Sequence, residues 1–128
     1  MLQIRYHLKF KGSDTLLFAG SRDDIDLLHS FFLGWKGEEV ELVQRLQARE
    51  KLYLASVAAS RLQHGSKDSF TWQRDNGTWV ITAGSQQQII GLLEGLLESN
   101  DEGHQYLDSG ESPIQIIVAK DEYPLPEL

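Results

Sequence analysis

Residues 16–33, LLFAGSRDDIDLLHSFFL, and residues 80–97, VITAGSQQQIIGLLEGLL, align without a gap at an offset of 64, half of the 128-residue chain. Six of the 18 positions are identical: Ala19/Ala83, Gly20/Gly84, Ser21/Ser85, Ile25/Ile89, Leu28/Leu92 and Leu33/Leu97. A duplicated unit sets the architecture of both halves at once, so it constrains the fold more than any other feature of the chain.

The second copy is the easier to read. In FTWQRDNGTWVITAG, Asn76-Gly77 separates two alternating apolar runs, a strong short-range signal for a hairpin with a type I′ turn. With Asp75 and Thr78 flanking that turn, Arg74 faces Trp79, Gln73 faces Val80 and Trp72 faces Ile81. Phe70, Trp72, Trp79 and Ile81 then share an inner face, and Thr71, Gln73, Val80 and Thr82 the outer one. Shifted back by 64, the turn falls at Gly12-Ser13, Leu8 faces Leu17, and Tyr6, Leu8, Phe10 and Leu17 form the matching inner face. Leu16 and Phe18 then fall on the outer face, beside a basic row of Arg5, His7, Lys9 and Lys11. Such a mixed face suits a partner or dimer surface, or one that the chain itself covers.

A helix follows each hairpin. Ser21 and Ser85 are the expected N-caps, with Asp24 and Gln88 three residues on as capping-box partners. Ile25, Leu28 and Phe32 form one apolar stripe; Ile89, Leu92, Leu93, Leu96 and Leu97 form the other. The helices are expected to end near Gly34 and Asn100. Gly91 and Gly95 sit four apart on the second, on a face of close backbone contact or on a tolerant surface face.

Beyond the helices the copies diverge. GHQYLDSGESPIQIIVAKD reads as strands at 104–108 and 114–120 around a Ser-Gly-Glu-Ser-Pro turn. In 38–62, helix propensity favours one long helix, whereas the repeat and the alternation of Glu39, Val40, Glu41 and Leu42 favour strands near 39–44 and 51–57. Following the repeat, the first unit spans about 2–63, His64–Lys67 is a linker, and the second unit spans about 68–122. The expected fold is a single α+β domain: a β-β-α-β-β unit twice, mostly antiparallel sheet, with two helices on one side. Residues 4–34 should superpose on 68–98 with the same strand order.

The formal net charge of −7 opposes phosphate backbones, so nucleic acid is not an expected partner. It suits a basic protein partner, and it also suits solubility alone. The chain has no cysteine and therefore no disulfide or thiolate chemistry, and no apolar run long enough to span a bilayer. A cytoplasmic protein is the expectation, as monomer or homodimer.

His104, Tyr106 and Asp108 alternate along one strand, so they share a face as a candidate base with its orienter, as two metal ligands, or as an ordinary polar strand end. No third ligand lies at diagnostic spacing and no nucleophile motif is present, so neither metal nor cofactor nor catalysis is expected. Two acidic groups flank the first helix: Asp23, Asp24 and Asp26 at its start, and Glu38, Glu39 and Glu41 after its end. They read as a docking patch for a basic partner, or as solvated faces with first-turn acids placed for the helix dipole.

AGSQQQIIGLLEGLLES, GHQYLD and SPIQIIVAKDE run in order: a Gly-Ser turn opening a Leu-spaced helix, a short strand with His and Asp, and an apolar strand ending in Lys. In this, residues 80–122 resemble a group of small bacterial immunity proteins encoded beside secreted polymorphic or contact-dependent toxins. Gln105 and Tyr106 depart from that pattern, which has a second His or a small apolar residue there. The resemblance implies a non-catalytic inhibitor that binds a cognate basic toxin and blocks its active site. The acidic groups at 23–41, with His104 and Asp108, would be its contact residues. The alternative is a small-ligand or regulatory domain with a cleft between the repeats, near Gly91, Gly95 and the two AGS turns.

Overall fold

The computed structural model describes residues 2–10, 13–46, 49–52, 59–73, 76–107 and 115–121. In chain order the elements are β1 (Gln3–Phe10), β2 (Ser13–Gly20), α1 (Arg22–Gly34), β3 (Val40–Glu41), the single turn α2 (Leu42–Arg45), β4 (Arg49–Leu52), β5 (Ala59–His64), β6 (Ser69–Gln73), β7 (Asn76–Ile81), α3 (Ala83–Glu98), β8 (Gly103–Tyr106) and β9 (Gln115–Lys120). Hairpin, long helix and then strands occur in the same order in both halves, with α2 and β4 additional in the first, giving the α+β class expected from the repeat. None of the described helices is long and apolar enough to cross a membrane.

The strands form two sheets, ordered β4-β1-β2-β9-β8 and β3-β5-β7-β6. Four ladders are antiparallel (β1–β2, β3–β5, β6–β7 and β8–β9) and three parallel (β1–β4, β2–β9 and β5–β7). The parallel pairs β2–β9 and β5–β7 join strands from opposite halves. Being central, β2 and β9 are covered on both faces, which explains why Leu16–Ala19 and Ile116–Ala119 are unbroken apolar runs.

One main core collects the inner faces of both sheets and the buried stripes of both long helices. Trp79 joins these layers: its ring lies 6.1 Å from Phe18 of the other sheet and 6.2 Å from Phe32 of α1, centroid to centroid. A smaller cluster of Leu17, Ala19, Ile117 and Ala119 lies on the opposite face of the five-stranded sheet and is also fully buried. The outer face expected from the sequence, Leu16 and Phe18 beside the basic row, does not form, because Leu16 and Phe18 belong to the main core.

Both hairpin registers differ from the sequence expectation, with different consequences. In the second, Trp79 pairs with Phe70 and Asn76 with Gln73, so Asn76 and Gly77 begin β7 rather than form the turn. The displacement is four residues, an even number, so Phe70, Trp79 and Ile81 keep their place on the core face. In the first, Leu17 pairs with Arg5 instead of Leu8, an odd displacement of three, which exchanges the faces of β2. Leu16 and Phe18 point into the main core, and Leu17 lies on the other side. A register shift between His7 and Phe10, one residue gained on β1, breaks the simple alternation.

The stretch 38–62 is neither one helix nor the expected pair of strands. Val40–Glu41 is a strand, but its antiparallel partner is β5 at 59–64, not 51–57, and β4 instead extends the other sheet beside β1. His64 is therefore the last residue of a strand and not part of the linker. The strands read at 104–108 and 114–120 form at 103–106 and 115–120. Tyr53–Ala58 and Asp108–Ile114 lie outside the described residues.

The helices differ by three residues. Ser21 caps α1 in a capping box with Asp24, as expected. Thr82, not Ser85, caps α3, its Oγ1 accepting from the Ser85 amide at 3.0 Å. The N-caps are thus 61 residues apart (21 and 82) and the C-caps 64 apart (35 and 99), so α3 is longer at its start. Asp24 Oδ2 accepts from the Ser21 backbone amide at 2.9 Å; on α3 the same bond to Thr82 N, also 2.9 Å, comes from Asp68, a residue before β6.

Neither long helix has a basic residue in its last turn, and both C-termini are served from a distance. Lys120 is 2% exposed, and its Nζ donates to the carbonyls of Leu96 (2.7 Å) and Ser99 (2.5 Å) at the end of α3. At the end of α1, Gln86 Nε2 donates to the carbonyls of Phe32 (2.6 Å) and Trp35 (3.1 Å). Both amide protons are used there, so Gln86 Oε1 is left to accept from His64 Nε2, 2.5 Å away. Carbonyls otherwise orphaned in a dry interior are satisfied this way.

Two stability outcomes follow from these contacts. Lys120→Ala strips both α3 carbonyls of their donor and should cost about 2–3 kcal/mol in denaturant unfolding. Gly37 has φ +95°, and a Cβ there would run into the His64 ring, which also packs edge-on against Trp35 at 4.5 Å. Gly37→Ala should therefore cost about 1–3 kcal/mol, while Gly91→Ala, at a position open to solvent in mid-helix, should be stabilising.

Candidate functional site

The α1 helix places the two acidic groups at its opposite ends. From Asp26 to Gly34, the last residue of α1, is eight residues, about 12 Å at the rise of an α-helix, and Glu38, Glu39 and Glu41 follow beyond that end, so Asp23, Asp24 and Asp26 do not form one site with them. Asp24 is half-buried in the capping box; Asp23 and Asp26 are exposed. Glu38, Glu39 and Glu41 are exposed around the start of β3, and the Glu38 carbonyl accepts from Trp35 Nε1 at 2.8 Å.

A different set of carboxylates joins Asp23 and Asp26. The two long helices run antiparallel, bringing the start of α1 to the end of α3. Arg22 donates to the Ser99 carbonyl at 3.4 Å, and His29 meets Glu94 at 3.1 Å. The strand ends arrive at the same place. Gly20 pairs with Lys120, Lys120 pairs with Gly103, and the Asp121 amide donates to the Gly20 carbonyl at 3.0 Å. Asp23, Asp26, Glu94, Glu98, Asp101, Glu102 and Asp121 are therefore gathered at one end of the molecule, all exposed. Arg22 is the exposed cation there among the described residues, and a shallow open groove lies between it, Glu94, Leu97 and Glu98.

His104 and Tyr106 lie near this end on β8, at the margin of the five-stranded sheet. They share a face, as the alternation requires, with their rings edge to face at 5.7 Å. Among the described residues, Tyr106 is one of three large apolar side chains left substantially exposed, with Leu27 and Leu33 of α1. Asp108, the third member of the alternating set, lies outside the described residues.

No three His, Asp or Glu side chains are grouped to hold a metal ion among the described residues. Gly91 and Gly95 are exposed, no atom approaches within 4 Å of where their Cβ would stand, and neither lines the groove. The glycine pair is thus on a surface face and walls no cleft between the repeats.

Five members of the acidic end, Glu94, Glu98, Asp101, Glu102 and Asp121, were not singled out by sequence reasoning. One signal could have found them. SNDEG follows directly on a helix ending LLE, so four of these carboxylates crowd a helix C-terminus, where the dipole disfavours anions. No protein-family model, curated protein or solved structure matches the chain.

Proposed function

We propose that the protein is a non-catalytic inhibitor, of the kind bacterial immunity proteins represent, that docks its acidic end onto a basic toxin and occludes the toxin's active site. The observation that carries this reading is the convergence of seven exposed carboxylates from α1, α3, the α3–β8 turn and the residue after β9. Glu98, Asp101 and Glu102 sit where the α3 dipole penalises them, so folding stability does not account for their placement. The resemblance of residues 80–122 to immunity proteins points the same way. The exposed Leu27 and Tyr106 add apolar area of the kind found beside charged rims at interfaces.

Charge of this density speeds encounter with a basic surface and makes the association sensitive to salt. The test is capture of the protein encoded immediately upstream, at low and at moderate ionic strength, by the wild type and by an Asp23→Asn, Asp26→Asn, Glu98→Gln triple variant. These side chains are exposed and outside the core, so each change should move stability by no more than about 0.5 kcal/mol. Salt-sensitive capture by the wild type, weakened about tenfold or more in the triple variant, is the expected result. Capture unaffected by the triple variant would move the binding surface elsewhere, and no capture at all would remove the inhibitor reading.

A further inference from the structure

The two sheets are the same assembly with the halves interchanged. The first unit contributes the hairpin β1-β2 and the strands β3 and β5; the second contributes β6-β7, β8 and β9. Yet the sheets read β1-β2-β9-β8 and β6-β7-β5-β3, so each hairpin is completed by the last strands of the other unit. The senses match throughout: β2 is parallel to β9 and β7 to β5, and each outer pair is antiparallel. Equivalent backbone bonds close both sheets, Asp121 N to Gly20 O and Gly65 N to Ile81 O, each 3.0 Å. Strand β4 alone among the described strands has no counterpart.

We infer that the chain is a covalently joined, strand-exchanged dimer of one β-β-α-β-β unit, and that its halves pair with the complementary halves of a second copy when the connection between them cannot close. That connection is Gly65–Asp68. His64 pairs with Ile81 on one side of β7; Ser69 pairs with Val80 on the other, which sets Asp68 level with Ile81. The linker therefore crosses two strand spacings, about 9.6 Å. Four Cα steps of about 3.8 Å span this distance, and two steps, about 7.6 Å, do not. The segment already lies close over the end of β7, where a Cβ on Gly65 would strike Val80. A hinge too short to fold back favours exchange between chains, because every ladder and core contact is rebuilt from two copies.

The test removes Ser66 and Lys67, both exposed, from the full chain. The expected product has native far-ultraviolet circular dichroism, twice the 14.5 kDa monomer mass by light scattering, and a Tm that rises with protein concentration. A folded 14.5 kDa monomer with a concentration-independent Tm would overturn the inference. A second measurement decides the matter if the deletion does not fold. A protease site inserted between Ser66 and Lys67 is cut after folding, and the two fragments should elute as one particle with an unchanged spectrum. Fragments that separate or unfold on cleavage would overturn it equally.

Discussion

The parallel pairing of Thr15–Gly20 with Gln115–Lys120 ties the first hairpin to the far end of the chain, and the rest of the molecule depends on it. It buries the middle of β2 and β9 on both faces, so Leu16–Ala19 and Ile116–Ala119 are apolar at every position and cannot show the alternation of a half-exposed sheet. It also carries Lys120 to the end of α3, where its ammonium group meets two carbonyls. The matching pairing of β5 with β7 brings His64 to Gln86 and, through it, to the end of α1. Neither half owns a complete sheet, so the cooperative unit is the whole chain, and its defining contacts span about a hundred residues in sequence.

The helix ends show what the duplication kept and what it let drift. A carboxylate accepts from the N-cap backbone amide at the start of each helix, but Asp24 belongs to α1 itself and Asp68 to the segment before β6. A side-chain nitrogen bridges the C-cap carbonyl and the one three residues before it at each C-terminus, but the donor is Gln86 of α3 in one case and Lys120 of β9 in the other. The physical demand, four unpaired backbone groups at each end, is common to both copies. The residue that meets it is not, so sequence identity faded while the architecture stayed.

This divergence sets what could be read from residues alone. The two long helices and the strands at 103–106 and 115–120 were legible because periodicity is a local signal, and the cap at Ser21 was too, whereas α3 is capped at Thr82, three residues before the expected Ser85. The core face of the second hairpin was legible despite a wrong register, since a displacement of four preserves sidedness; the first was not, because a displacement of three inverts it. Strand exchange and the two-sided burial of Leu17 and Ala19 arise from partners far along the chain and leave no local trace. Of the candidate contact residues, Asp23 and Asp26 belong to a charged cluster, but helix length separates them from Glu38, Glu39 and Glu41. Their neighbours instead come through antiparallel helix packing, which composition does not encode.

The acidic end joins two opposed electrostatic requirements. The buried Lys120 supplies the positive charge that the α3 C-terminus favours, and it does so without reaching solvent. The exposed surface over the same helix end carries Glu94, Glu98, Asp101 and Glu102, the sign that the dipole disfavours. At the start of α1, by contrast, Asp23 and Asp24 sit with the dipole, and Glu94 meets His29 across the two helices. At physiological ionic strength charges interact over about 8 Å, so neighbouring carboxylates on adjoining turns act together rather than singly. Mutual repulsion among them is relieved when a positive surface approaches. The feature least explained by folding is thus the one best matched to a basic partner, and the internal cation is what lets the helix end carry it.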